Sequence, residues 1–470
     1  SNKRCVSLKI LLTVHQFVPE YFAGTEILAL SVAKNLLQRG HEVCVYTGYP
    51  TKEILPDWKR FDAYEIEGIQ IRRFHHSFTP MGDQHVLSKL EYDNHLSARY
   101  FSALIDEIAP NIIHFFHFSR LSAALIDVAK HKQIPAYYTP TDFWAVCPTY
   151  QLLLDDGRVC SGPSCYAGNC IKHVAARTRL KNHTGLIRYI PTPAIDWVAG
   201  IAQLSIPGRW PFRKEIAALS RRKSLNIARV NALNAIVSPT RLMTWTLIRH
   251  GVDASLIHQS AYGIDMNGFD AAMPCEYNGK RPLILAYIGT LAQHKGCHVL
   301  IDAFRRLNTD GVRLKIYGNL NDFPDYVHKL QRMSEGYDGI EFMGTFPYTD
   351  IAQVLSRVDA LVVPSVWYEN TPLVIYSALA ARRPVIASDF PGMSEVVENG
   401  VNGLTFTPGN VDALAQCLKR LHDEAGLLAR LSAHCAPPKS IESYVNELLA
   451  LYAESPAPLH DLPVRASSCE

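Results

Sequence analysis

Apolar positions follow two alternating rhythms along this chain. Short runs rich in β-branched and aromatic residues, LKILLTV (8–14), HEVCVYT (41–47), GIQIRRF (68–74), NIIHFF (111–116) and IPAYYTP (134–140), predict strands. Helical spacing is expected from Thr25 to Gln38, closed by Gly40, and again near 85–108 and 120–131. Strands alternating with helices predict a parallel, doubly wound sheet.

The rhythm breaks between 143 and 235, and a low-order stretch after the turn AYGID (261–265) runs to about 281 as an interdomain connection. It then resumes with PLILAYIG (282–289), VRLKIYG (312–318), IEFMG (340–344), ALVVP (360–364), PVIAS (384–388) and GLTF (403–406) as strands with helices between them. SIESYVNELLALYAE (440–454) predicts an amphipathic last helix, and the Pro- and Ser-rich tail from Ser455 is expected to be disordered. A chain of 470 residues is too long for one core, so two α/β domains are expected.

The candidate chemistry sits at strand-to-helix loops. In VVPSVWYENTPLVIYSALAARRPVIASDFPG (362–392) a strand ends at Val363, a loop carries Glu369, Asn370 and Thr371, and a helix is predicted to begin at Pro372 with Thr371 as N-cap. Such a loop places free amides at the carboxyl edge of parallel strands, where a phosphate is well received, and Glu369 can accept from sugar hydroxyls. An ordinary βαβ unit with a solvated Glu is the plainer alternative. In GTLAQHKGCHVLIDAF, Lys295 and Gly296 precede a helix, so an ammonium and amides can converge on a diphosphate. Gly24, at the first strand-to-helix turn, allows close backbone approach to a phosphate, although turn geometry alone also explains it. His114 and His117 end the NIIHFF strand, and each is either a satisfied structural residue or a contact to a substrate hydroxyl.

Composition narrows the partners. Hydrophobic content of 48% and charged content of 19% describe a soluble globular protein, and a net charge of +3 does not point to nucleic acid. No run reaches the roughly 18 apolar residues of a membrane span, and the N-terminal apolar run is expected to be a first strand, not a signal peptide. Seven of eleven cysteines are scattered, which fits a reducing cytoplasm. The other four, Cys147, Cys160, Cys165 and Cys170, share a Gly/Pro-rich loop with spacings of 13, 5 and 5. A structural zinc, free or disulfide-paired thiols, and an iron–sulfur or redox role all remain open for them. Residues 172–223 hold eleven Lys and Arg against Asp196 and Glu215, and flank an aromatic stretch bearing Trp197 and Trp210. That pattern suits an anionic membrane surface or a lipid-linked acceptor, with a solvated helical face as the alternative.

Three stretches together carry a resemblance: FAGTEILALSVAKNLLQRGHEVCVYT, GTL with HKGCHVLIDAF, and VVPSVWYENTPLVIYSALAARRPVIASDFPGMSEVVENGVNGL. Over residues 8–435 the chain resembles a family 4 glycosyltransferase of the GT-B fold, in which two Rossmann-like doubly wound domains face each other across a cleft. The DFW, CP and clustered cysteines resemble a bacterial branch that builds surface polysaccharides. The resemblance implies an acceptor-side domain over 1–262 (with 143–235 as insert), a nucleotide-sugar domain over 263–437, a helix over 438–455 crossing back, and a tail over 456–470.

It further implies retaining transfer from a UDP- or GDP-sugar to a glycan or lipid-linked acceptor at the inner face of a membrane, with no metal required at the reacting centre. Lys295, Glu369 and His117 would act at the reacting sugar. Gly24, Gly289, Thr290, Asn370, Thr371, Leu373, Val374 and Ser377 would line the donor site. Three positions depart from the family pattern: Ser377 stands where a second Glu is usual, Thr290 where an Arg is usual, and His117 lies one place beyond the usual His-x-His register after His114. A catalytically degenerate binder is therefore the competing reading, with a phosphorylase behind it.

Overall fold

In the computed structural model, which describes residues 7–154, 156–177, 187–204, 212–307 and 309–454, the chain forms two sheets. The first contains β1 (Lys9–Val14), β2 (Glu42–Thr51), β3 (Phe61–Ile66), β4 (Ile69–Ser77), β5 (Ile112–Phe115), β6 (Ala136–Tyr138), β7 (Ala235–Ser238) and β8 (Ile257–Gln259). Their spatial order is β3-β4-β2-β1-β5-β6-β7-β8, parallel throughout except for the β3–β4 hairpin at one edge. The second contains β9 (Leu283–Ile288), β10 (Val312–Tyr317), β11 (Ile340–Gly344), β12 (Ala360–Val363), β13 (Val385–Ser388) and β14 (Gly403–Phe406). Its order is β11-β10-β9-β12-β13-β14, all parallel.

The central strands are buried on both faces, as helix-covered parallel strands must be: β5, β12 and β13 are buried at every position. Strand order reverses between β1 and β5 in the first sheet and between β9 and β12 in the second. A reversal splays the two flanking loops apart and opens a crevice at the carboxyl edge, which is where open α/β sheets bind ligands.

One apolar cluster joins the two lobes, drawing Leu12 and Val32 from the first, Leu361 and Ile375 from the second, and Tyr444 and Leu448 from the last helix, Ile441–Glu454. That helix returns to the first lobe. Arg39 Nη2 donates to Glu442 O at 2.9 Å, and the Tyr452 hydroxyl and His114 Nδ1 are hydrogen-bonded at 2.7 Å.

Several sequence expectations need correction. The helix expected over 85–108 is two, Leu87–Leu90 and His95–Ile108. Asn94 interrupts it because its side chain accepts from Leu96 N and Ser97 N, which starts a new helix there. Strands β3, β7 and β8 were not expected. The tail from Ser455 lies outside the described residues, as do 178–186 and 205–211 of the basic segment, Trp210 included. Among the described residues, no helix is long and apolar enough to cross a membrane.

Candidate functional site

The second lobe's crevice opens between the loops that follow β9 and β12. After β9 the chain makes a 3-10 turn, Gln293–Lys295, and enters the Cys297–Leu307 helix through Gly296 at φ +73°. A Cβ at Gly296 would collide with the Pro364 carbonyl of the neighbouring loop, so only glycine lets the two loops close on each other. The result is an ion pair: Lys295 Nζ lies 2.7 Å from Glu369 Oε1. The same oxygen accepts from Ser365 Oγ at 2.7 Å and Trp367 Nε1 at 2.8 Å.

Burial alone would push the Glu369 carboxyl up, but Lys295 and the Ser365 and Trp367 hydrogen bonds outweigh it and hold the group below the usual carboxylate range. Lys295 also stands 5.2 Å from the centre of the Trp367 ring.

Thr371 does not cap the following helix. It sits in the left-handed region at φ +46° and its hydroxyl donates to Gly392 O, while the helix runs Leu373–Ala380 with Pro372 preceding it. A β-branched residue held there signals strain of order 1–3 kcal/mol, which surrounding contacts must sustain. The first-turn amides at Leu373 and Val374 have no partner within their own helix, as at any N-terminus.

Ser377 is fully buried and its hydroxyl donates to Leu373 O at 3.2 Å, so its side chain serves the helix and does not line the loop. Gly289 and Thr290 lie at the end of β9, and the Tyr287 hydroxyl donates to Thr290 O at 2.7 Å.

The first lobe's crevice opens between β1 and β5, and its chemistry is imidazole. His15 directly follows β1 and His117 follows β5, and their rings meet tilted by 38° with centroids 4.1 Å apart. His117 Nε2 lies 2.8 Å from Asp142 Oδ2, and its Nδ1 accepts from Ser119 N at 3.0 Å. His15 Nε2 is 3.4 Å from Glu26 Oε1. Burial, His117 and Arg120 together press the His15 pKa well down, which keeps it neutral beside its partner.

His114 is different. Fully buried, bonded to Thr139 and Tyr452, and driven by burial to a pKa of about 3, it anchors the returning helix and faces no cleft. Gly24 begins the Gly24–Gln38 helix, and a Cβ there would meet nothing within 4 Å.

The two crevices share a wall. Asn370 Nδ2 donates to Pro140 O at 3.2 Å, and the Phe143 and Tyr368 rings lie 6.4 Å apart. Asp142, which holds His117, lies between Pro140 and Phe143. Asn370 Oδ1 also accepts from Thr240 Oγ1 at 2.7 Å, so the Asn370 side chain joins the lobes and leaves only its backbone for a ligand.

The sequence singled out Lys295, Glu369 and His117, and the structure places His15, Glu26, Asp142, Ser365 and Trp367, which the sequence did not single out, beside them. Position just past β1, β6 and β12 was the available signal for His15, Asp142, Ser365 and Trp367.

Cys147 and Cys170 are buried, Cys160 is half-buried and Cys165 is exposed. Among the described residues, no group of three or more ligating side chains converges. Cys147, Cys160 and Cys170 border one hollow with His173, and a tetrahedral ion there would need these side chains drawn closer together.

Residues 282–424 match the family model described as Glycosyl transferases group 1, so the second lobe is a domain of that family. The whole chain has the GT-B glycosyltransferase fold: it superimposes on Anabaena HepE, solved with UDP and glucose, with a TM-score of 0.60 at 16% identity, covering 95% of this chain and 100% of that one. Among curated proteins, alpha-D-kanosaminyltransferase of Streptomyces kanamyceticus is 28% identical over 37% of this chain and 46% of its own length. Amylovoran biosynthesis glycosyltransferase AmsK of Erwinia amylovora is 28% identical over 44% of this chain and 53% of its own. The chain thus spans about half the length of the curated relatives it matches.

Proposed function

We propose that this chain is a retaining glycosyltransferase that moves a sugar from a UDP- or GDP-sugar to a glycan or lipid-linked acceptor in surface polysaccharide synthesis. The observation that carries this reading is the Lys295–Glu369 pair at the strand-order reversal of the second sheet. With a donor bound, the Lys295 ammonium turns to the diphosphate, and Glu369 accepts from the sugar's hydroxyls. The amides of Asn370, Thr371, Leu373 and Val374 add donors to the phosphates. The leaving phosphate takes the acceptor's proton, and Asp142, partly exposed where it holds the buried His117, orients the acceptor hydroxyl from the facing lobe. HepE's complex with UDP and AmsK's name support the donor and the pathway class respectively.

Three helices around Ile171, Ile195 and Ala199 support a lipid-linked acceptor. They and their connections leave Tyr189, Trp197 and Phe212 largely exposed beside basic side chains such as Lys214, a surface suited to anionic lipid.

The test is slow hydrolysis across a panel of UDP-, GDP- and ADP-sugars. Turnover of at least one donor, lost in Lys295→Ala, is expected. Binding without turnover for every donor would favour the degenerate reading, which draws on the spent Ser377 hydroxyl and the missing cation at Thr290. A requirement for inorganic phosphate would favour a phosphorylase.

A further inference from the structure

Beside His117 the first lobe holds a cavity of about 160 Å³, bordered by His76, Phe78, Glu91 and Tyr150 among others. Pockets for nucleotide-sized ligands run to roughly 300–1,000 Å³, so this one admits a single small ring. Its position relative to the reacting centre is set by two contacts. The Tyr150 ring lies 6.3 Å from that of His117, and Ser119, whose amide donates to His117 Nδ1, donates through Oγ to Glu91 Oε1 at 2.7 Å.

Trp144 Nε1 donates to the same Glu91 oxygen at 3.1 Å, which fixes the carboxylate and leaves Oε2 to accept from a ligand. His76 is almost wholly buried, yet its Nδ1 has no hydrogen-bond partner. Phe78, packed edge-on against the His76 ring at 5.2 Å, is 70% exposed and offers a bare aromatic face at the rim.

An aromatic face, a fixed carboxylate acceptor, a phenol and an imidazole around a ring-sized hollow match a hexopyranose, whose C–H face stacks and whose hydroxyls donate. We propose that this cavity holds the acceptor's terminal sugar ring and that the ring is a neutral hexopyranoside, with Glu91 excluding phosphorylated or uronic-acid rings by like-charge repulsion. The assignment rests on the glycosyltransferase reading and names its acceptor class. The Glu91 acceptor and Phe78 platform set which sugar docks, and Tyr150 and Ser119 pass its free hydroxyl toward His117.

Saturation-transfer NMR on the full chain tests this, with the methyl α-pyranosides of glucose, galactose and mannose and with methyl glucuronide as probes. Donor hydrolysis is followed on the same samples. At least one neutral glycoside is expected to show saturation, and glucuronide none. Phe78→Ala, at an exposed position that leaves the fold intact, should weaken the signal about tenfold, or 1.4 kcal/mol, with donor hydrolysis within about twofold. Glu91→Gln should admit glucuronide.

Failure of all neutral glycosides to bind, equal binding by Phe78→Ala, or glucuronide binding to the wild type would overturn the proposal, provided donor hydrolysis persists. Loss of donor binding and hydrolysis in the wild type would instead strike the glycosyltransferase reading itself.

Discussion

The two lobes repeat one topology and arm it differently. Each reverses strand order beside its first strand, at β1/β5 and at β9/β12, and each places two polar side chains where its loops part. In the second lobe those are a buried carboxylate and an ammonium with 2.7 Å between them; in the first they are two imidazoles in ring contact. A preformed opposite-charge pair suits a ligand bearing both hydroxyls and phosphate. A partly exposed carboxylate held by a buried histidine, with a neutral histidine in ring contact, suits a hydroxyl that must be oriented. The backbone supplies the crevice, and the side chains at its lip decide which substrate half goes where.

The largest effect is expected from breaking the second lobe's pair. Lys295→Met should lower donor turnover by about 10²–10³-fold and, by stranding a buried carboxylate, cost roughly 3–5 kcal/mol of stability. Adding Glu369→Gln should restore most of the stability, read by urea unfolding, and none of the turnover. Restored turnover in the double variant would mean the pair is structural only.

Breaking the first lobe's hydrogen bond should act on chemistry and leave the donor in place. Asp142→Asn is expected to slow transfer by roughly 10²-fold while nucleotide affinity changes by less than about twofold, measured by calorimetry. An equal loss of nucleotide affinity would erase the distinction between the lobes.

His114 sharpens the contrast with His117. Its folded pKa of about 3 lies below the ordinary 6.5, so between those values the unfolded chain takes up a proton that the folded chain refuses. Stability therefore falls as the pH is lowered through that window, by up to about 1.4 kcal/mol per unit from this group. His114→Gln should flatten that slope by about one proton in unfolding curves at pH 7, 5.5 and 4, and an unchanged slope would contradict the burial. The smallest effect is at the basic helices: Lys214→Gln should weaken binding to phosphatidylserine vesicles by about 1 kcal/mol, close to fivefold.

The strands of the second sheet were legible as short apolar runs in β9, β12 and β13 and as alternating patterns in β10 and β11, signals that depend on near neighbours alone. Lys295 and Glu369 were legible for the same reason, since each sits just past such a run. Strand β3 was missed because its side chains are half-exposed and its pattern is diluted at a sheet edge. Thr371 looked like an N-cap because residue type favours that role, but the pull of Gly392 O turns its backbone left-handed instead. His114 and His117 have the same residue type on the same strand edge. One is sealed by a helix more than 300 positions away and the other is held by Asp142.

The residues alone determined the two alternating sheets, the loops at their carboxyl edges and the charged groups those loops carry, because strand and helix periodicity and turn chemistry act over a few positions. Tertiary structure decided that Lys295 meets Glu369, that Asn370 ties the lobes together, that Ser377 is taken up by Leu373 O and Tyr348, and that the His15 ring meets that of His117. Those outcomes depend on which distant surfaces are pressed together, and close packing lets only one pairing of loops fill the crevice.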